Sequence, residues 1–181
     1  MRSDNPRGAD NQQESLSSTE RRFWFLAGLI EGEGSVHISI KASPTRPFGY
    51  YVQPEFFIYQ HRSRRQLLEL AREFFGCGRI RPKPGNPDVL VFSVISRRAI
   101  VASVAPFLAQ CMTLSARCDD YASFIRAVEL LERGRHGTAE GLAEIVSLAY
   151  TMNMRGKQRR VPEQLILDRI LRGHTPDSLA A

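Results

Sequence analysis

Apolar and polar residues follow one another along this chain with two different periods, and the points where the period changes mark its elements. From Phe23 to Ile30 nearly every residue is apolar (Phe-Trp-Phe-Leu-Ala-Gly-Leu-Ile). A helix built from them has no face for water and must be covered on opposite sides, once by its own core and once by a second partner. Ser17 and Glu20 have capping-box spacing, so the helix is expected to start near Ser18. Gly34 ends it. Gly28 and Gly32 lie four residues apart on one face, and the missing side chains let a second helix come close. Glu31 and Glu33, two residues apart, point in different directions, so only one of them can serve a site at the base of such a helix pair.

Past Gly34 the period becomes two. Ser35 to Lys41 reads as a strand with Val36, Ile38 and Ile40 on one face and Ser35, His37, Ser39 and Lys41 on the other. A turn rich in Pro and Gly, Ser43 to Gly49, leads to a second strand from about Tyr51 to Gln60, where Phe56 and Ile58 alternate with Glu55, Phe57 and Tyr59. The spacing of Leu67, Leu68, Ala71, Phe74 and Phe75 predicts a helix from Ser63 to Phe75 that stops at Gly76. Arg79 to Lys83 and Val89 to Ile95 form a second hairpin around Pro84-Gly85-Asn86-Pro87, and a helix is expected over roughly Arg97 to Leu108. Further helical patterns cover Cys118 to Arg133, Ala139 to Met152 and Pro162 to Arg172. The order α-β-β-α-β-β-α, followed by extra C-terminal helices, defines an α+β fold.

Composition narrows the partners. A chain of 181 residues that is 43% hydrophobic can bury one ordinary core. The net charge of +6 is gathered at Arg62 to Arg65, Arg79 to Lys83, Arg97-Arg98 and Arg155 to Arg160, the footprint expected of a nucleic-acid binder. No apolar run reaches the length of a membrane span and the start of the chain has no signal-peptide core, so a soluble protein of the cytoplasm, nucleoid or an organelle matrix is expected. Cys77, Cys111 and Cys118 are odd in number and lack paired spacing, which argues against a disulfide framework or a structural zinc and for reduced, mostly buried thiols. His37 sits on the polar strand face, whereas His61, His136 and His174 read as surface or loop residues.

The segment Leu26-Ala27-Gly28-Leu29-Ile30-Glu31-Gly32-Glu33-Gly34 resembles the signature of the LAGLIDADG homing endonucleases. The element order matches that family's core, and the resemblance extends over about residues 18 to 160. It implies a Mg2+-dependent DNA endonuclease, with Mn2+ or another divalent cation as a substitute. In the family the acid before the final glycine holds the metal and the preceding residue adds its carbonyl, which corresponds here to Glu33 and Gly32. Carboxylates beside an anionic phosphate serve chiefly as ligands for a cation that neutralises charge and activates water. The earlier acid, here Glu31, is structural in relatives. This chain has Glu where the familiar motif has Asp. The resemblance also implies that Gln60 helps order active-site water, and it leaves open which cation assists, since Arg97, Arg98 and Arg117 stand where relatives carry lysines.

No second copy of the motif follows, so the expected assembly is a two-fold homodimer with Leu26, Gly28, Leu29 and Gly32 at the interface. The four strands then form an antiparallel saddle over double-stranded DNA. Its outward residues would be Ser35, His37, Ser39 and Lys41 on the first strand, Gln53, Glu55, Phe57 and Tyr59 on the second, and Arg79, Arg81 and Lys83 on the third. Two-fold symmetry predicts a pseudo-palindromic target of about two helical turns. The cluster from Arg155 to Arg160 either holds phosphates or forms a solvated basic loop. The expected layout is a disordered segment 1–16, an endonuclease domain 17–160, and a C-terminal helix and tail 161–181. An intron-encoded nuclease is the first reading. An RNA maturase acting on intron RNA, or a regulator that binds DNA without cutting, is the alternative on the same scaffold.

Overall fold

The computed structural model describes residues 17–155 and 159–172. The expected disordered segment 1–16, the tail with His174, and residues 156–158 of the basic cluster lie outside them.

Helix α1, Ser18–Glu33, begins with a full capping box: the Ser17 hydroxyl accepts from the Glu20 N–H at 3.2 Å, and the Glu20 carboxylate accepts from the Ser17 N–H at 2.8 Å. Strand β1, Gly34–Ala42, follows without a loop. After a short 3-10 turn comes β2, Tyr50–His61, then α2, Arg65–Phe75, β3, Arg79–Lys83, and β4, Asn86–Val94. The strands form one antiparallel sheet in the order β1-β2-β4-β3. Gly76 closes α2 with φ +63°, the left-handed cap that a glycine adopts at no steric cost.

The expected helix from Arg97 to Leu108 is not uniform. Arg97–Ala99, α3, passes through a π-helical turn, Ile100–Val104, into Ala105–Cys111, α4. Pro106 supplies the reason, because it lacks the N–H that an α-helix needs and its ring crowds the carbonyl four residues back. The Ala105 N–H reaches five residues back, to the Ile100 carbonyl. Three more helices complete the fold: α5, Cys118–Glu132, α6, Ala139–Arg155, and α7, Glu163–Leu171.

One face of the sheet is dry and the other is open. Val36, Ile38, Val52, Phe56, Ile58, Leu90, Phe92 and Val94 are buried in a single core with Leu26 and Ile30 of α1, Leu68 and Phe75 of α2 and Phe107 of α4. The rings of Phe56, Phe75, Phe92 and Phe107 meet edge-on or stacked at the centre of this layer. Ile166 and Ile170 of α7 join the same core. Of the thiols only Cys111 is buried; Cys77 is half-buried and Cys118 exposed, which corrects the expectation of mostly buried cysteines.

Candidate active site and nucleic-acid interface

The junction of α1 and β1 fixes the geometry of the motif. A side chain at Gly34 would run into the Ile30 carbonyl and lie 2.7 Å from Ile30 Cγ2, so only glycine lets the strand leave the helix here. Glu31 turns inward: it accepts from the Ser115 hydroxyl at 2.6 Å and from the Ala116 N–H at 3.1 Å. It therefore anchors the loop between α4 and α5. Glu33 is exposed, and among the described residues its carboxylate has no hydrogen-bond or ion-pair partner. The two acids diverge as their spacing requires.

Arg117 lies beside this junction. Its guanidinium donates to the Gly34 carbonyl at 2.6 Å, sits 5.5 Å from the Tyr121 ring centre and is 3.9 Å from the Asp120 carboxylate. Asp120 accepts in turn from the Asn153 N–H at 2.9 Å, while the Asn153 side chain donates to the Val36 carbonyl at 2.8 Å. Helices α5 and α6 thus grip the first residues of β1 from the side. Arg97 is elsewhere. It donates to the Leu131 carbonyl at 3.2 Å and pairs with Glu132 at 2.9 Å, beside Ile95, whose carbonyl accepts from Gln53. Gln53 pairs with Ser39, five strand residues from Gly34, or ~17 Å. Of the candidate cations, Arg117 is the one at the motif end.

Gln60 belongs to the covered face of β2, with Phe56 and Ile58, and is only 7% exposed. Gly34 pairs with Ile58, so Gln60 lies two residues beyond the start of β1, on the side where α1 enters the sheet. Among the described residues its amide makes no hydrogen bond within the protein. A buried amide left in this state has donors and an acceptor available for water.

The Glu33 carboxylate and the Gly32 carbonyl, both oxygen donors, belong to the last two residues of α1. These suit a hard cation such as Mg2+. Among the described residues no group of three or more His, Cys, Asp or Glu could hold a metal by itself. A cation here would need ligands beyond these two residues.

The open face of the sheet carries all the expected outward residues. Register places Ser35 against Phe57, His37 against Glu55, Ser39 against Gln53, and Arg79 and Arg81 against Ser93 and Val91. Lys83 follows a bulge after Pro82 yet returns to this face, its ammonium 5.3 Å from the Tyr59 ring centre. Several of these groups are already engaged. His37 Nε2 is 2.7 Å from Glu55 and its ring stacks on Phe57 at 5.3 Å, and the Gln53 amide donates to the Ile95 carbonyl at 3.1 Å. Lys41, Arg79 and Arg81 are exposed. The sequence reading missed Val91 and Ser93 of β4, which share the face. Their alternation with Leu90, Phe92 and Val94 carried the signal, but with Val89, Val91 and Ile95 all apolar the run hides it.

The outer side of α1 is apolar and bare. Trp24 is 43% and Phe25 50% exposed, Leu114 beside them 75%, and a Cβ at Gly28 or Gly32 would meet nothing within 4 Å. Leu29 is half-buried against the core. Leu26 corrects the expectation: it is 0% exposed, filled in by its own chain, and has no surface left for a partner. At about 100° per residue Gly28 lies some 200° around the helix from Leu26, so the two cannot share a face. The outward stripe is Phe25, Gly28 and Gly32.

Arg159 corrects the reading of the basic cluster. It is half-buried, donates to the Ala149 carbonyl at 2.7 Å and the Ile38 carbonyl at 3.2 Å, and stands 4.5 Å from the Tyr150 ring centre. Its guanidinium ties α6 to β1.

A family model described as LAGLIDADG endonuclease matches residues 26–128. The DNA endonuclease I-CeuI of Chlamydomonas moewusii is 35% identical over 134 residues, 72% of this chain and 62% of that protein. The chain thus spans less than two thirds of that relative. The homing endonuclease I-ApeII of Aeropyrum pernix is 26% identical over 147 residues, 78% of this chain and 86% of the relative. Among solved structures, the group I intron-encoded I-CeuI complexed with DNA superposes with a TM-score of 0.79 at 30% identity, covering 87% of this chain and 79% of the other. The archaeal intron-encoded I-Vdi141I complexed with DNA gives 0.78 at 28% identity, covering 84% of this chain and 96% of that one. The family match takes in the motif helix from Leu26 onward, all four strands and Arg117, and the chain belongs to the LAGLIDADG endonuclease family.

Proposed function

We propose that this protein is a divalent-metal-dependent, site-specific endonuclease that cuts double-stranded DNA as a homodimer, in keeping with the intron-encoded nucleases it resembles. The observation that carries the reading is the unpartnered Glu33 carboxylate at the foot of a helix whose outer stripe is bare. A carboxylate kept next to the path of an anionic backbone is a liability for a pure binder, whereas it is what a metal-assisted hydrolase needs.

In this reading Glu33 and the Gly32 carbonyl hold the cation, Mg2+ or Mn2+. When bound, the cation neutralises developing charge on the phosphate and lowers the pKa of a water. The Gln60 amide, buried on the covered side of the sheet, would be positioned to orient a water. Arg117 spends one N–H on the Gly34 carbonyl, so the guanidinium is fixed in place and its remaining donors can face the scissile phosphate. The polar sheet face lies in the major groove. There Arg79, Arg81 and Lys41 have no side-chain partner among the described residues, while His37, held by Glu55 and Phe57, presents a fixed ring edge. Each chain cuts one strand, and a second chain packed on the Phe25, Gly28 and Gly32 stripe supplies the other site.

A pooled library of two-fold symmetric duplexes, incubated with Mg2+ and with the parent chain or Glu33→Gln, tests this. The expected result is a recurring pseudo-palindromic cut site for the parent and duplex binding without cutting for the variant. Capture of duplex without cutting by the parent would favour the regulator, and neither capture nor cutting would favour an intron RNA partner.

A further inference from the structure

Strand β2 outruns one of its neighbours. On one side it pairs with β1 from Tyr50 to Ile58, but on the other it meets β4 only from Phe56 to His61. Along the uncovered edge lies a cleft of about 430 Å3, closed on its far side by Ile95, Arg97 and the 3-10 turn that carries His136. Its charged lining has one sign. Arg46 stands 5.4 Å from the Tyr51 ring centre and has no acidic partner among the described residues. Arg97 is paired with Glu132, but no carboxylate lines the cleft itself. His136 Nδ1 is buried without a hydrogen-bond partner, and burial together with Arg97 and Arg46 holds its imidazole below the ordinary value. An unpaired Arg46, with Arg97 and a His136 ring whose Nδ1 can carry the proton around the same opening, suits an anion that brings hydrogen-bond acceptors.

The position of the cleft identifies which anion. Its lining residues Tyr50 to Pro54 pair with Ala42 to Ile38 of β1, and its outer end at Tyr50 and Arg46 stands eight strand residues or ~27 Å from Gly34, beside Glu33. At about 3.4 Å per base pair that span corresponds to about eight base pairs. We propose that this cleft grips a backbone phosphate of the DNA duplex about eight base pairs outward from the cleavage centre, with Arg46 in front and Arg97 and His136 behind. The inference rests on the nuclease reading above and adds an outer anchor for each half-site.

The test uses the full chain and a random-sequence duplex of about 30 base pairs, long enough to reach both clefts of a dimer. Binding is followed against salt for the parent, Arg46→Ala, Arg46→Lys and, as a surface control away from the sheet face, Arg72→Ala. Arg46→Ala is expected to weaken binding about tenfold and to lower the slope of log K against log salt by about one per chain, while Arg46→Lys keeps the slope and Arg72→Ala changes neither. Unchanged slope and affinity in Arg46→Ala would overturn the proposal and leave the nuclease reading standing. Failure of the parent to bind duplex would sink both. Titration with inorganic phosphate, read on the His136 ring resonances, separates the sources. A phosphate response lost in Arg46→Ala, with no change in duplex binding, would mark a free-phosphate site and refute the DNA assignment.

Discussion

Glu31 and Glu33 are the same residue type two positions apart, and helix geometry alone sends them to different tasks. Glu31 accepts from Ser115 and Ala116, and Glu33 is left facing outward. Glu31→Gln is expected to destabilise the fold by about 1–3 kcal/mol, because an amide offers one acceptor where two donors converge. The midpoint and slope of urea unfolding measure it. Arg159→Ala should cost about 2 kcal/mol through the lost bonds to the Ile38 and Ala149 carbonyls and should leave the salt dependence of DNA binding unchanged. A phosphate contact would give the opposite pair of results. The divergence of the glutamates was legible in the sequence, since it depends only on local spacing. The role of Arg159 was not: its carbonyl partner on β1 is 121 residues away, and its basic neighbours suggested phosphate instead. Gln60 fell between the two. Resemblance singled it out, but its burial follows from strand parity that a polar residue type conceals.

At the scale of elements, periodicity carried most of the fold. Every strand and helix read from the alternation is present, and the boundaries that moved did so for identifiable reasons, such as Pro106 forcing a π turn into the helix after β4. The motif helix shows the limit of such reading. Its apolar run is continuous, so sequence gives no preferred inward side, and Leu26 was placed at the interface when it fills the core. Two substitutions on opposite sides of this helix should therefore behave differently. Leu26→Ala opens a cavity in the chain's own core and should cost about 2–5 kcal/mol of stability. Gly28→Leu meets only open space in the single chain, so it should fold normally yet fail to dimerise. Sedimentation together with thermal unfolding distinguishes the two, and a stable dimer of Gly28→Leu would remove the outward stripe from the interface.

For the molecule as a whole, one dry and one wet sheet face separate stability from recognition. Helices α2, α4, α5 and α6 cover the dry face, and α5 and α6 also reach around to hold the start of β1 through Arg117, Asp120 and Asn153. The wet face extends from the Glu33 end of β1 to the Arg46 cleft. A single chain carries one candidate acid, one sheet and one bare helix stripe, so a closed two-fold pair is the smallest assembly that can address both strands of a duplex. The most direct measurement of this claim uses mixed dimers of differently tagged parent and Glu33→Gln chains, purified through both tags, on the duplex recovered as the parent's cut site. A nick in one strand, with no double-strand break, is the predicted product. A double-strand break made by the mixed dimer would contradict the assignment of one Glu33 to each strand.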